Sequence, residues 1–165
     1  DLSIEETGGT YAENAAPMAV ADPRASDVRR LPDSSDHEVD ALNGLPGLHS
    51  ARFAPWPGAS DADRRGLLLE KLQAIARPWV ARFRCVVALA SPSGEVQFAE
   101  GTCTGEVIPE ERGANGFGYD PIFLLSETGR TMAELTMAEK NSLSHRARAV
   151  HAACPVILQW LGFSA

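Results

Sequence analysis

Apolar residues are most regularly placed in the middle of the chain, between residues 80 and 108. From Val80 to Ala90 both alternating sets of positions are apolar, which indicates a strand buried on both faces and central in its sheet. Alternating polar and apolar residues predict a second strand at 95–99, and a third is predicted at 102–108. We expect these three segments to be neighbours in one sheet.

Helical patterns occur before and after these strands. A capping-box pattern that begins at Ser60 predicts a helix over 61–76. Ser144 is predicted to cap a final helix, with a kink near Pro155, because a proline inside a helix removes one backbone hydrogen bond. The apolar residues expected to form the buried face of this final helix are Val150, Cys154, Ile157 and Leu161.

The first part of the chain is less regular. Thr10 and Glu13 have the spacing of a second capping box, which predicts a helix that begins near Tyr11. Residues 22–37 are rich in proline, arginine and aspartate and have neither the period of a strand nor that of a helix. We therefore predict a loop for this segment.

Composition and charge narrow the class of protein. The chain has 165 residues and is 44% hydrophobic, which fits one domain over residues 1–165 with an ordinary core. Its net charge of −7 argues against a nucleic-acid-binding protein, because such proteins usually present a basic surface to the phosphates. A site for a single nucleotide remains compatible with this charge.

The cysteines and the ends of the chain give further expectations. Three widely spaced cysteines, Cys85, Cys103 and Cys154, form no disulfide or zinc pattern and are expected to be buried free thiols. No signal peptide and no apolar run of membrane-spanning length is recognisable, so no membrane association is expected. These features predict a cytoplasmic protein.

The segment from Gly113 to Arg148 contains the strongest candidate chemistry. Its first part reads GFGYDP, where glycines allow close approach of the backbone to a ligand and aromatic rings offer flat faces for stacking. A cluster of hydrogen-bond donors follows at Lys140 and 144–146, suited to an anionic or carbonyl-bearing ligand. A stacking surface with nearby donors predicts a nucleobase pocket. A glycine-rich turn followed by the basic start of a helix is the alternative interpretation.

Several motifs in this order resemble the Ham1 family of inosine and xanthosine triphosphate pyrophosphatases. These motifs are GFGYDPIF, TMAEL and EKNSLSHRARA in the second half of the chain, with ETGGTYAENA and EVDALNGLPGLHSARF before them. The resemblance implies an α/β fold with a mixed sheet flanked by helices, from which the family's first strand is missing. It also implies a homodimer that hydrolyses abnormal purine nucleoside triphosphates (ITP, dITP and XTP) to the monophosphate and pyrophosphate with Mg²⁺.

The resemblance also assigns roles to individual residues. On the phosphate side, Glu13 and Asp33 are the expected metal ligands, Ser34 occupies the position of the family's general-base aspartate, and Ser35 contacts substrate. The residues expected at the base are Phe117 as the stacking ring, Gly118, Tyr119 and Asp120 along its edge, and Lys140, His145 and Arg146 at the 6-oxo group. These donors would reject adenine, whose 6-amino group is itself a donor.

Besides the family's first strand and its phosphate-binding loop, two residues of the family pattern are expected to be absent on the phosphate side. Met18 stands where the family has a phosphate-binding lysine, and Ser34 stands where it has a carboxylate. A serine hydroxyl of ordinary pKa neither holds Mg²⁺ as a carboxylate does nor accepts a proton efficiently near neutral pH. Three interpretations follow: an active pyrophosphatase, a relative that binds purine nucleotides but turns them over poorly, or a damaged copy of the enzyme.

Overall fold

The computed structural model describes residues 33–91 and 95–162. Glu13, Met18 and the helix predicted near Tyr11 lie outside these residues. Short 3-10 turns separate several of the longer elements. The strands are β1 (Asp33–Val39), β2 (Pro46–Gly47), β3 (Trp79–Ala90), β4 (Val96–Val107) and β5 (Phe123–Leu125), and the helices are α1 (Asp61–Leu72), α2 (Met137–Leu143) and α3 (His145–Trp160).

The five strands form one sheet in the order β2-β1-β3-β4-β5, with helices packed against it. The α/β class is therefore confirmed. All the pairings between these five strands are antiparallel. The central position predicted for the apolar segment 80–90 is also confirmed, since β3 lies in the middle of the sheet with β1 on one side and β4 on the other.

The second and third predicted strands are one continuous strand. β4 pairs with β3 along its whole length, from Trp79 opposite Val107 to Ala90 opposite Val96. The prediction separated 95–99 from 102–108 because Glu100 and Gly101 interrupt the apolar alternation. This separation was wrong, since glycine in a strand also marks a point where another backbone comes close, and helix α3 lies directly against Gly101.

Residues 33–37 were predicted to be in a loop and instead lie in β1. This strand pairs with β3 over seven positions, from Asp33 opposite Val87 to Val39 opposite Ala81. The prediction was wrong because a polar strand can be held by the backbone hydrogen bonds of a long neighbour, and its own sequence then carries no hydrophobic period. From Ser35 onward, the buried residues of β1 are Asp36, His37 and Val39.

Helix α1 packs against one face of the sheet. Its predicted start is confirmed, since the Ser60 side chain accepts a hydrogen bond from the Asp63 N–H and the Asp63 carboxylate accepts one from the Ser60 N–H. The helix ends at Leu72, four residues before the predicted end. Leu68 and Leu72 are fully buried in the main core, which α1 forms together with β3, β4 and β5.

Helix α3 packs on β3 and β4 through a face of small residues. Ser144 caps it as predicted, accepting a hydrogen bond from the Ala147 N–H at 3.2 Å. The residues buried on the sheet are His145, Ala149 and Ala153. The predicted buried face was therefore wrong for Val150, Cys154 and Leu161, because the alanines let the helix approach the strand closely, whereas larger side chains there would hold it away.

The four apolar residues predicted for the buried face differ in their exposure. Val150 is 41% and Leu161 60% exposed, and Cys154 is exposed. Ile157 is half-buried and packs against a buried cluster of Leu89, Ala99 and Ala153. Burial of the free thiols is confirmed for Cys85 and Cys103 and was wrong for Cys154. None of the helices in the described part of the chain has the length and apolar character needed to cross a bilayer.

Candidate functional site

The loop between β4 and β5 carries the GFGYD motif and is shaped by its glycines. Gly113, Gly116 and Gly118 all have positive φ angles, of 81°, 88° and 59°. At Gly116 a Cβ atom would lie 2.0 Å from the Asp120 Oδ2 and 2.3 Å from the Lys140 Nζ. The backbone at Gly116 therefore lies directly against these two charged groups, and no larger residue fits there.

Asp120 and Lys140 form an ion pair that joins the loop to α2. The Lys140 Nζ lies 2.7 Å from the Asp120 Oδ2, and the side chains are only 14% and 10% exposed. The same oxygen accepts a hydrogen bond from the Phe117 N–H at 3.1 Å. One carboxylate therefore fixes both the turn that presents Phe117 and the lysine of α2.

Helix α1 holds the loop from the other side, at Gly118. The Gly118 N–H donates to the Asp61 Oδ2 at 2.7 Å, and the Arg65 guanidinium donates to the Gly118 carbonyl at 2.8 Å. Arg65 also forms an ion pair with Glu111 at 2.7 Å. The Gly118 hydrogen bond, followed by that from Arg64, lowers the pKa of Asp61. We call Asp61, Arg65 and Glu111 the α1 clamp.

Tyr119 points into the core and does not line the cavity described below. It is 4% exposed, its hydroxyl donates to the Ser50 carbonyl at 3.0 Å, and burial raises its pKa. The neighbouring Phe117 is 63% exposed. In this structure Gly118 and Tyr119 anchor the loop, and Phe117 is the aromatic residue available for stacking.

A cavity of about 450 Å³ lies between the GFGYD loop, α2 and the first turns of α3. Five residues predicted to contact the base line it together: Phe117, Asp120, Lys140, His145 and Arg146. Residues that the sequence did not single out complete its wall, among them Met132, Met137, Asn141 and His151. The predicted meeting of the two sequence segments at one site is therefore observed.

His145 and Arg146 have fixed positions at the start of α3. The His145 ring stacks on Phe83, with centroids 4.9 Å apart and an interplanar angle of 15°, and its Nδ1 lies 4.0 Å from the Cys103 Sγ. The Arg146 guanidinium lies 5.5 Å from the centre of the Phe117 ring, a cation–π distance.

Of the residues predicted for the phosphate side, Glu13 lies outside the described residues, and the other three lie in β1. Asp33 and Ser34 lie at the start of β1, opposite Val87 and Val86, and Ser35 is half-buried opposite Cys85. Within residues 33–91 and 95–162, no three His, Cys, Asp or Glu side chains are placed so that they could hold a metal ion. The metal-ligand roles of Glu13 and Asp33 stay predictions.

The α1 clamp is the part of the site that sequence reasoning missed. Arg65 reaches Glu111 and Gly118 across 46 and 53 residues of chain. Nothing local to Arg65 indicates such partners, because an arginine on an exposed helix position usually faces solvent. Asp61 carried a weak signal, since acidic residues are common in the first turn of a helix for reasons of the helix dipole alone.

Comparisons with known proteins show which family the chain resembles. The sequence profile of the Ham1 family matches residues 1–156. A dITP/XTP pyrophosphatase of Desulforamulus reducens is 44% identical over 155 residues, covering 93% of this chain and 77% of the relative. A dITP/XTP pyrophosphatase of a Nostoc species is 43% identical over 166 residues, covering 100% of this chain and 82% of the relative.

Solved structures show the same similarity in three dimensions. A HAM1 protein from Coxiella burnetii superposes with a TM-score of 0.84 at 39% identity, over 94% of this chain and 80% of that one. A nucleoside-triphosphatase, named dITP/XTP pyrophosphatase, from Mycobacterium abscessus gives a TM-score of 0.73 at 39% identity, over 93% of this chain and 79% of that one. With sequence and fold matched over most of its length, the chain belongs to the Ham1 family.

Proposed function

We propose that this protein hydrolyses abnormal purine nucleoside triphosphates (ITP, dITP and XTP) to the monophosphate and pyrophosphate. The observation that supports this most directly is the cavity in which Phe117, Lys140, His145 and Arg146 meet. An exposed aromatic ring next to three nitrogen donors is suited to a purine that carries a carbonyl oxygen. Relatives at 42–45% identity that are named dITP/XTP pyrophosphatase support the same reaction.

Recognition of the base rests on the 6-position. A 6-oxo group accepts hydrogen bonds, whereas the 6-amino group of adenine donates them. In this proposal Lys140, His145 and Arg146 donate hydrogen bonds to this position. The 6-amino group of adenine would face these donors and would find no acceptor. Such an unpaired polar contact costs about 1–3 kcal/mol, which corresponds to roughly tenfold to a hundredfold in selectivity.

The phosphate side requires charge neutralisation and a base. We propose that Glu13 and Asp33 hold Mg²⁺, because carboxylate oxygens are the ligands this ion prefers. The bound ion would neutralise charge on the phosphates. Asp33 accepts a proton of the attacking water, and the water oxygen forms a bond to the α-phosphorus. The bond between the α-phosphorus and the oxygen that bridges to the β-phosphorus breaks, and that oxygen leaves with pyrophosphate.

Ser34 favours a second candidate function, that of a nucleotide-binding relative with slow turnover. The base pocket is complete, but a hydroxyl stands at the position of the family's general base. Loss of one charged stabiliser typically reduces the rate by ~10²–10³ while affecting binding less. The resemblance to the family also supports a homodimer that acts in the cytoplasm.

The test is a pyrophosphate-release assay with ITP, XTP and ATP at millimolar Mg²⁺. We expect ITP and XTP to be preferred over ATP by about tenfold to a hundredfold. His145→Ala should abolish this preference, whereas His49→Ala, which removes an exposed histidine outside the cavity, should leave it unchanged. Equal rates with ITP and ATP would contradict the proposed selectivity, and binding of inosine monophosphate without turnover would favour the second function.

A further inference from the structure

The first turn of α3 lies directly on the backbone of β4 at Gly101. A Cβ atom at this position would lie 2.1 Å from the His145 carbonyl oxygen and 2.2 Å from the Ala149 nitrogen. These two groups stand four residues apart in the first turns of the helix, at the spacing of the i to i+4 hydrogen bonds of an α-helix. The glycine therefore leaves room for the helix backbone itself, and any side chain would push the turn away from the strand.

Arg148 holds the same turn in place from its flank. Its guanidinium donates to the Thr102 carbonyl of β4 at 3.1 Å and to the Leu143 carbonyl at the end of α2 at 3.2 Å. It also forms an ion pair with Glu127, which follows β5. One side chain thus joins the start of α3 to the strand, to the preceding helix and to the segment after β5.

His145 and Arg146 belong to the turn that these contacts hold. The His145 ring reaches Phe83 and the Arg146 guanidinium reaches Phe117 only while the turn stays at this height above the sheet. A shift of about 1 Å in a binding group can cost a hundredfold in rate. The position of the turn is therefore a determinant of the site, although neither Gly101 nor Arg148 lines the cavity.

We propose that Gly101 and Arg148 are positioning residues for base recognition, setting the place of the His145–Arg146 turn relative to Phe117. This inference rests on the proposed function, in which those residues read the 6-oxo group. It predicts that disturbing either contact reduces discrimination between ITP and ATP. A purely structural role would reduce stability and leave discrimination unchanged.

Gly101→Ala is tested against Gly105→Ala, a matched control on the same strand. A Cβ at Gly105 would also lie 2.1 Å from a backbone oxygen, but that oxygen belongs to Leu124 in β5 and not to α3. We expect both variants to lower the unfolding temperature. Only Gly101→Ala should raise the KM for ITP, by about tenfold or more, and reduce the ITP-to-ATP ratio of kcat/KM.

Arg148→Ala tests the second contact without a steric clash, so that the inference can be judged if Gly101→Ala does not fold. Its control is Arg84→Ala, since Arg84 is also a half-exposed arginine in an ion pair, with a side chain 34% exposed against 35% for Arg148. Loss of selectivity in Arg148→Ala with retention in Arg84→Ala supports the inference. The inference is overturned if each variant discriminates between ITP and ATP as well as its own control does.

A readout that does not depend on catalysis separates this inference from the proposed function. The His145 ring protons lie in the ring current of Phe83, so their NMR chemical shifts report the position of the turn. Gly101→Ala and Arg148→Ala should change these shifts, and Gly105→Ala and Arg84→Ala should not. If the wild type shows no preference for ITP, the proposed function fails, whereas unchanged His145 shifts in the first two variants overturn the positioning role by itself.

Discussion

The imidazole of His37 lies nearly parallel to the ring of Tyr119, with centroids 4.9 Å apart and an interplanar angle of 19°. The side chain is fully buried, and neither ring nitrogen has a hydrogen-bond partner among the described residues. A buried polar group without a partner costs about 1–3 kcal/mol. His37 is therefore a weak point in the core beneath the candidate site.

Replacing this imidazole by an apolar side chain should stabilise the protein. We expect His37→Leu to raise the free energy of unfolding by about 1–3 kcal/mol, because the desolvation cost of the ring nitrogens disappears while the apolar contacts with Phe83 and Tyr119 are kept. His37→Ala, which leaves a cavity, should instead be destabilising. Urea unfolding at pH 7 measures both, and a less stable Leu variant would contradict the argument.

The same residue predicts how stability depends on pH. Burial, together with the charge of His145, lowers the pKa of His37 from 6.5 to about 3. The unfolded chain therefore binds a proton at higher pH than the folded one, so stability should fall as pH decreases from about 6.5 toward 3. In His37→Leu the free energy of unfolding should change less steeply with pH, by about 1.4 kcal/mol per pH unit, because one proton fewer is taken up on unfolding. Urea unfolding at several pH values checks it, and parallel slopes in wild type and variant would refute it.

The ion pair between Asp120 and Lys140 should show strong coupling. With the two atoms 2.7 Å apart and both side chains little exposed, removing one partner leaves the other charge poorly solvated. A double-mutant cycle of Asp120→Asn and Lys140→Met should give a coupling energy of about 0.5–3 kcal/mol. The exposed pair Arg84–Glu100 is the control, and its coupling should stay below about 1 kcal/mol. Additive effects at Asp120 and Lys140 would contradict this prediction.

The α1 clamp should affect substrate binding more than stability. Arg65→Ala removes the hydrogen bond to the Gly118 carbonyl and the pair with Glu111, so the loop that presents Phe117 loses its support. We expect a rise of about tenfold in the KM for ITP. Lys71→Ala, in the last turn of the same helix, should change neither KM nor stability. A normal KM in Arg65→Ala would show that the other contacts of the loop are sufficient.

Ser34→Asp tests whether a carboxylate at this position limits turnover. If the general base is impaired, this variant should hydrolyse ITP about a hundredfold faster with little change in KM, since one charged group at the reacting phosphate is worth ~10²–10³ in rate. Ser34→Asn is the control, because asparagine has nearly the shape of aspartate but carries no charge. Rapid ITP hydrolysis by the wild type, with no gain in Ser34→Asp, would show that other carboxylates serve.

Sequence patterns predicted the elements that are held by contacts within one turn or that have strongly apolar faces. β3 was recognisable because both its faces are apolar, and the start of α1 because Ser60 and Asp63 satisfy each other within one turn. β1 was not recognisable, because most of its residues are polar and its pairing with β3 is made by backbone groups, which leave no pattern in the sequence.

The residues of the candidate site also divide into those that local sequence indicated and those that only the fold identifies. Glycine and aromatic residues close together in sequence indicated Phe117 and Asp120, and the donor cluster indicated Lys140, His145 and Arg146. Tyr119 in the same motif could not be separated from them, since only the fold shows that its hydroxyl reaches Ser50. The buried face of α3 was misjudged because hydrophobicity favours large residues, whereas the close approach of helix to strand requires small ones.

The close approach of α3 to β4 at Gly101 has a consequence for how the cavity responds to ligands. The start of α3, which forms one wall of the cavity, lies directly on β4, and β4 pairs with β3 along its whole length. An extended strand cannot lengthen, and its pairing with β3 resists bending. We therefore expect this wall to keep its place when a base enters, so that the cavity admits a base by its thickness and does not close around it from the α3 side.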